Sequence, residues 1–193
     1  MSTVKRQIYD GAIYHIIQKG NNGQRLLKVI EDYQRFIALI KKYKDKYSFE
    51  LYNYCLMDNH VHLLMKVFKK EELAKLTQGI FQSYRFYFKQ KYQYTGHLYQ
   101  GRYKSKIIAK NEYLLECARY IETNPLRAKL VKALKDYKWS SYAFYAYGRQ
   151  NTSLTPNPLY RTFSNVEECR KFYRQYVLMP RMYEDIIDKD FKI

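Results

Sequence analysis

The stretch that decides the fold reads Met57-Asp58-Asn59-His60-Val61-His62-Leu63-Leu64-Met65, a turn followed by an apolar run that carries two histidines. In a β-strand, residues i and i+2 point to the same face of the sheet. His60 and His62 therefore stand side by side on one face, while Val61 and Leu63 point into a core behind it. Two neutral imidazoles on one face supply half of a typical ligand shell for a divalent metal. Two ordinary polar residues on a half-exposed strand explain the pair equally well, so a metal site needs partners elsewhere in the chain.

Short β-like runs and amphipathic runs alternate on both sides of this stretch. Their spacing predicts strands over residues 12–18, 49–57, 60–67 and 102–108, and helices over residues 30–47, 71–94 and 111–124. We expect the last helix to stop at Asn124, because a residue that precedes proline, here Pro125, resists the α conformation. Tyr120 and Asn124 then lie one turn apart on the same side of this helix, with Asn124 at its frayed end.

The order strand, helix, strand, strand, helix, strand is that of a split βαβ unit. It predicts an α+β fold with a ferredoxin-like or RRM-like antiparallel sheet (βαββαβ), helices on one face and the other face available to a ligand. We expect the last helix to cover this second face and to bring Tyr120 towards His60 and His62. Residues 1–145 are expected to form this domain, and residues 146–193 a mainly helical C-terminal extension, in which Ser164 or Asn165 caps a helix.

Charge and composition restrict the class of partner. Lys and Arg number 35 against 18 Asp and Glu, which gives a net charge of +17. A field of this sign favours a polyanion, nucleic acid before membrane, and no run approaches the ~18 apolar residues of a membrane span. The cysteines at 55, 117 and 169 lack the spacing of a metal site or a disulfide framework, and the first residues lack the apolar core of a signal peptide. We therefore expect a reduced, cytoplasmic protein.

Three cations, Arg102, Lys104 and Lys106, fall on one face of the predicted fourth strand. Such a row suits the phosphate backbone of a nucleic acid. A solvated edge strand, on which lysines discourage aggregation, explains the row nearly as well. The chain also contains 23 tyrosines; most of them are expected in the core, and those on a basic surface can stack on unpaired bases.

Four segments together resemble a known family. They are Tyr14-His15 with Lys19-Gly20-Asn21-Asn22, then Asp58-Asn59-His60-Val61-His62-Leu63-Leu64, then Gly96-His97-Leu98-Tyr99-Gln100-Gly101-Arg102-Tyr103-Lys104-Ser105, and finally Arg119-Tyr120-Ile121-Glu122-Thr123-Asn124-Pro125-Leu126-Arg127-Ala128. In this order they resemble the REP-associated tyrosine transposases, a branch of the single-tyrosine HUH transposases with an IS200-like transposase domain. The resemblance covers roughly residues 8–145. Many single-tyrosine relatives carry glutamine where this chain has Asn124, and asparagine is typical of the REP-associated branch.

The resemblance implies a metal-dependent enzyme that nicks and rejoins single-stranded or hairpin DNA through a 5′-phosphotyrosine intermediate. It implies that Tyr120 is the nucleophile and that His60, His62 and Asn124 bind Mg²⁺ or Mn²⁺. By analogy, the DNA would be contacted by Lys19, Asn21, Asn22, Arg102, Lys104 and Lys106. His15 is either structural or a DNA contact. The relatives lean towards monomers, and a homodimer stays open.

The proposed chemistry agrees with these residue types. A phenol has an unperturbed pKa of ~10, so a divalent ion that polarises the phosphate would assist its attack. Rejoining requires no ATP, because the covalent link keeps the bond energy. Two other functions stay open: a non-catalytic nucleic-acid-binding protein, and a metal nuclease that uses water as its nucleophile.

Overall fold

The computed structural model describes residues 8–109, 111–162 and 165–180, and for residues 111, 112, 161 and 162 it describes the backbone alone. The strands are β1 (Ala12–Lys19), β2 (Phe49–Leu56), β3 (His60–Val67) and β4 (Lys104–Ile108). The helices are α1 (Ile30–Lys46), α2 (Lys70–Tyr92), α3 (Asn111–Arg127), α4 (Tyr142–Tyr147) and α5 (Val166–Leu178). Short 3-10 turns occur at Asn21–Gly23, Leu134–Asp136 and Pro158–Thr162.

The strands form one antiparallel sheet in the order β2-β3-β1-β4. β1 lies next to β3, with Ile17 opposite His62 and Lys19 opposite His60. On its other side β1 pairs with β4, an edge strand in which Lys106 lies opposite His15. This strand order, with α1 and α2 as the two connecting helices, is the ferredoxin-like arrangement, and the predicted α+β fold is confirmed.

The face of the sheet behind the histidines carries the main core. Tyr14 and Ile16 of β1 and Val61 and Leu63 of β3 are buried there against α1 and α2. The two helices contribute, among others, Phe36, Ile40, Leu76, Ile80 and Tyr84. Full burial of an apolar side chain contributes ~1.5–3 kcal/mol, so this core fixes the register of β3 and with it the side to which His60 and His62 point.

The helix α3 covers the opposite face of the sheet, as the sequence predicts. Leu114, Cys117 and Ile121 of this helix pack against Cys55 of β2 and Leu64 of β3. All five side chains are at most 1 % exposed. The helix is therefore held directly above the histidine face.

The predicted end of α3 is wrong, because the helix continues through Pro125 to Arg127. Proline lacks the N–H group that would donate to the Ile121 carbonyl four residues earlier. The Asn124 amide supplies another donor, since its Nδ2 lies 3.1 Å from the Ile121 carbonyl and 2.9 Å from the Tyr120 carbonyl. Asn124 therefore lies within the helix and not at a frayed end, and its amide folds back onto the helix backbone.

β4 begins at Lys104, two residues later than predicted. The preceding segment belongs to a different arrangement, in which the Gln100 N–H donates to the Lys19 carbonyl at 3.0 Å. Gly101 then turns the chain with a φ of 75°, a left-handed conformation that favours glycine. Arg102 consequently precedes the strand, while Lys104 and Lys106 lie on its histidine face.

The C-terminal residues pack on α3 through α4 and α5. Tyr142 and Tyr145 of α4 form one apolar cluster with Tyr173 and Val177 of α5. Asn165 caps α5 by accepting a hydrogen bond from the Glu167 N–H at 2.8 Å. The alternative cap, Ser164, and the terminal residues 1–7 and 181–193 lie outside the described residues.

Candidate active site

Three histidines and one tyrosine meet between the sheet and α3. His15 comes from β1, and His60 and His62 come from β3. The Tyr120 ring lies edge-on to His62, with 5.8 Å between the ring centroids, and to His15, with 5.9 Å. Tyr120 is only 6 % exposed. The structure thus brings together Tyr120 and the histidine pair, and it adds His15 to them.

The histidines are oriented by hydrogen bonds at one nitrogen each. His62 Nδ1 lies 2.9 Å from Nε2 of His15, and the two rings are stacked. His60 Nδ1 lies 2.6 Å from the Asn59 side-chain oxygen, to which it can donate. Nε2 of His62 is buried and has no hydrogen-bond partner among the described residues. A buried nitrogen without such a partner is suited to bind something that is not part of the chain, such as a metal ion.

The environment keeps all three imidazoles neutral. Burial, followed by the charge of Lys106, lowers the pKa of His15 to about 3. Burial, followed by the charge of Lys19, lowers the pKa of His60 to about 4. Burial and the two neighbouring imidazoles hold the pKa of His62 well below its ordinary value. The neutral imidazole is the form that binds metal ions.

Asn124 lies one helical turn after Tyr120. Its Nδ2 is occupied by the two backbone carbonyls, which leaves Oδ1 as the atom able to coordinate a cation. Among the described residues, no group of three or more His, Cys, Asp or Glu side chains is placed to hold a metal ion. A third protein ligand beside His60 and His62 would therefore be an oxygen of another kind, such as this amide.

Arg127 also belongs to the site, although no role was predicted for it from the sequence. Its guanidinium carbon lies 4.2 Å from the centroid of the Tyr120 ring, and its Nη2 donates to the Tyr120 carbonyl at 2.6 Å. Position 127 is two turns after position 120, which puts both on one side of a helix. That relation holds only if α3 continues through Pro125, so the incorrect helix end concealed it.

Of the six residues expected to contact DNA, four lie on or beside the histidine face and two lie in the turn that follows β1. Lys19, Arg102 and Lys104 line a cleft of about 300 Å³ together with Ile17, whose partner in the sheet is His62. Lys106 lies on the same face opposite His15. Asn21 instead lines a cavity with Arg85 and Arg102. Asn22 is exposed in a 3-10 turn, with a φ of 50°.

The family is identified by comparison with known proteins. A family model described as "Transposase IS200 like" matches residues 9–124, the range that contains the histidine pair, Tyr120 and Asn124. The chain is therefore a transposase, an enzyme of the class that nicks and joins DNA. It belongs to the IS200-like transposase family.

Individual relatives agree with the predicted branch of this family, and the resemblance to REP-associated tyrosine transposases is confirmed. A putative REP-associated tyrosine transposase of Haemophilus influenzae is 26 % identical in an alignment of 157 residues that covers 74 % of this chain and 86 % of that protein. A solved structure of a REP-associated tyrosine transposase bound to a REP hairpin shares the fold, with a TM-score of 0.65 and 19 % identity over 81 % of this chain and 93 % of that one. Within the described ranges, no helix is long and apolar enough to cross a membrane.

Proposed function

We propose that Tyr120 attacks a phosphodiester of single-stranded DNA next to a hairpin-forming repeat, in a reaction that depends on a divalent metal. The observation that carries the proposal is the contact of the Tyr120 ring with His62 and His15 inside the buried interface between the sheet and α3. The relative whose structure is known with a REP hairpin supports a hairpin as the DNA substrate. One chain supplies both histidines and the tyrosine, which supports catalysis in cis by a monomer.

In this reaction the Tyr120 oxygen forms a bond to phosphorus and the bond from phosphorus to the 3′ oxygen breaks. The phenol loses its proton, and the leaving oxygen ends as a 3′-hydroxyl. The DNA stays attached to Tyr120 through its 5′ phosphate. In the rejoining step a 3′-hydroxyl attacks that phosphorus and releases the tyrosine, so the number of phosphodiester bonds is conserved and no ATP is needed.

The residues present fit a Mg²⁺ or Mn²⁺ ion. His60 and His62 would hold it through Nε2, and Asn124 would hold it through Oδ1, a mixed nitrogen and oxygen set that suits Mn²⁺ at least as well as Mg²⁺. The buried Nε2 of His62, which has no other partner among the described residues, supports this assignment. When bound, such an ion polarises a phosphate oxygen and stabilises the negative charge of the transition state.

The chain's own residues prepare this site in two ways. Nε2 of His15, 2.9 Å from Nδ1 of His62, can accept a hydrogen bond from Nδ1–H, and this tautomer of His62 keeps its lone pair on Nε2. The Arg127 guanidinium over the Tyr120 ring favours a phenolate and offers donors to an incoming phosphate. Lys19 and Lys104, in the adjoining cleft, neutralise neighbouring phosphates.

We further propose that residues 1–145 carry the catalytic machinery and that residues 146–193 serve as a C-terminal extension. Hydrogen bonds from Tyr173 and Asn53 to Glu122 connect this extension and β2 to α3, the helix that carries Tyr120. The extension would then keep α3 in the position that brings Tyr120 next to His62.

The proposal is tested with 5′- and 3′-labelled single-stranded hairpin DNAs incubated with Mg²⁺ or Mn²⁺ and analysed on denaturing gels. We expect a covalent protein–DNA band that requires metal and is absent from Tyr120→Phe. Cleavage that persists in Tyr120→Phe would instead identify water as the nucleophile. Tight binding without cleavage across a randomised hairpin pool would indicate a binding protein.

A further inference from the structure

A cavity with both apolar and polar side chains in its wall lies on the opposite face of the sheet from the histidines, between α2 and the segment 99–103. Its volume is about 430 Å³, within the range of ~300–1,000 Å³ that is common for small-ligand sites. The side chains that line it include Gln18, Gln78, Gln82, Arg85, Tyr99 and Arg102. Gln18 lies two residues after the buried Ile16 on β1, so both point to the α2 side of the sheet.

The lining of this cavity combines three kinds of group that match the parts of a nucleotide. The amides of Gln78 and Gln82 offer a donor and an acceptor each, as the edge of a base requires. The guanidiniums of Arg85 and Arg102 suit a phosphate. The Tyr99 ring, packed edge-on against Phe81 with 5.9 Å between centroids, gives an aromatic wall. None of the described residues that line the cavity is acidic.

Arg102 connects this cavity with the active-site face. It is exposed, it precedes the edge strand β4, and it also lines the cleft that contains Lys19 and Lys104. Arg85 and Arg102 in addition line the neighbouring cavity that contains Asn21. Positive charge therefore continues from the histidine face, round the edge of the sheet at Arg102, to the α2 face.

We propose that the cavity between α2 and the segment 99–103 binds one unpaired nucleotide of the DNA substrate, away from the phosphate that is cleaved. The DNA strand passes round the edge of the sheet at Arg102. In the cavity, Gln78 and Gln82 contact the base, and Arg85 contacts a phosphate. Holding one flanking nucleotide at a fixed place determines which phosphate reaches Tyr120. This inference rests on the proposed function in that it takes single-stranded DNA as the substrate.

The test is equilibrium binding of the full chain, without divalent metal, to fluorescein-labelled dA12, dC12, dT12 and an abasic 12-mer. We expect at least one homopolymer to bind roughly tenfold tighter than the abasic strand, the usual size of one base contact. The double variant Gln78→Ala/Gln82→Ala should reduce this ratio at least threefold, whereas Gln90→Ala, an exposed glutamine of α2 outside the cavity, should preserve it.

Arg85 is tested against a control of equal charge. Arg85→Ala should weaken binding of every strand several-fold more than Lys75→Ala, which removes an exposed cation from the same helix outside the cavity. Unchanged melting temperatures would establish that these variants are folded.

The pocket would be refuted by a double glutamine variant that keeps the full preference for bases, or by equal effects of Arg85→Ala and Lys75→Ala. Either result would leave the proposed cleavage intact, because covalent adduct formation by Tyr120 is measured separately. A wild-type protein that binds none of the four strands, or binds all four equally, would also overturn the pocket, while adduct formation on hairpin DNA would still decide the proposed cleavage.

Discussion

The hydrogen bond between His15 and His62 decides which nitrogen of His62 is available to a metal ion. With the proton on Nδ1, 2.9 Å from His15, the lone pair stays on Nε2. His15→Ala removes the acceptor, and we expect the affinity of the DNA-free protein for Mn²⁺ to fall roughly 10- to 100-fold. Isothermal titration calorimetry measures this affinity independently of cleavage.

His15→Gln is the matched control, because its side-chain oxygen can accept the same proton. It should recover most of the Mn²⁺ affinity. Equal losses in His15→Gln and His15→Ala would mean that His15 acts only by filling space, and an unchanged affinity in a folded His15→Ala would remove it from the site.

Arg127 is expected to act on the chemical step and not on DNA binding. Its guanidinium lies over the ring of Tyr120, the proposed nucleophile, so its positive charge stands near the phosphate that the phenol would attack. Arg127→Ala should slow covalent adduct formation roughly 10- to 100-fold under saturating DNA, since loss of one transition-state donor has effects of about this size or larger. Arg127→Lys keeps the charge but loses the planar stack, so it should recover the rate only in part. Single-turnover kinetics with an unchanged rate in Arg127→Ala would contradict this role.

At the level of elements, periodicity predicted the strands and the first two helices to within about two residues, because apolar residues recur in each at the spacing of its type of structure. The end of α3 was missed for a specific reason. The rule that proline ends a helix assumes that the carbonyl four residues earlier, here that of Ile121, loses its donor. In this helix the Asn124 side chain donates to that carbonyl instead. The same error hid Arg127. The contact of His15 with His62 was also out of reach, because it depends on the register of β1 against β3, which sets Ile17 opposite His62 and which the predicted fold does not fix.

The start of α1 depends on one buried carboxylate, Asp32. It accepts hydrogen bonds from the N–H groups of Lys28 and Val29, from Tyr87 and Tyr92, and from the Lys91 ammonium. Burial alone would raise its pKa, but these donors outweigh burial and lower the pKa from 3.8 to about 2.

A carboxyl whose pKa is lower in the folded state stabilises the fold above its unfolded pKa and loses that contribution as the pH falls. We therefore expect Asp32 to contribute about 2 kcal/mol at pH 6, lost progressively between about pH 5 and pH 1. Urea unfolding at a series of pH values measures the loss. Asp32→Asn should be less stable at pH 6 and should lack this part of the pH dependence. Parallel curves of unfolding free energy against pH for the two proteins would rule out this contribution of Asp32.

In the whole molecule, Glu122 connects the C-terminal residues to α3, the helix that carries Tyr120. This buried carboxyl accepts hydrogen bonds from Asn53, Ser141 and Tyr173, and burial, only partly offset by these bonds, raises its pKa to about 7. Tyr173→Phe deletes one donor, and we expect the free energy of unfolding to fall by about 1–3 kcal/mol. Urea unfolding should show one transition by both Trp139 fluorescence and circular dichroism.

The control for Tyr173→Phe is Tyr113→Phe, the same chemical change at an exposed position on α3. It should alter stability by less than about 0.5 kcal/mol. Equal effects of the two substitutions, or separate transitions for the two probes, would mean that the extension is not part of one cooperative unit with α3.

The net charge of +17 predicts DNA binding that weakens steeply with salt. The slope of log affinity against log salt concentration is set only by the cations that contact the DNA strand. Lys19 and Lys104 line the cleft beside the histidine face, whereas Lys41 and Lys42 are exposed on α1, behind the sheet. Each phosphate contact on a single strand contributes ~0.7 to the slope of log affinity against log salt concentration. Lys19→Ala/Lys104→Ala should therefore reduce the slope by about 1.4, and Lys41→Ala/Lys42→Ala, with the same loss of net charge, should leave it nearly unchanged. Equal changes in the two double variants would mean that DNA responds to the overall field and not to a defined path across the histidine face.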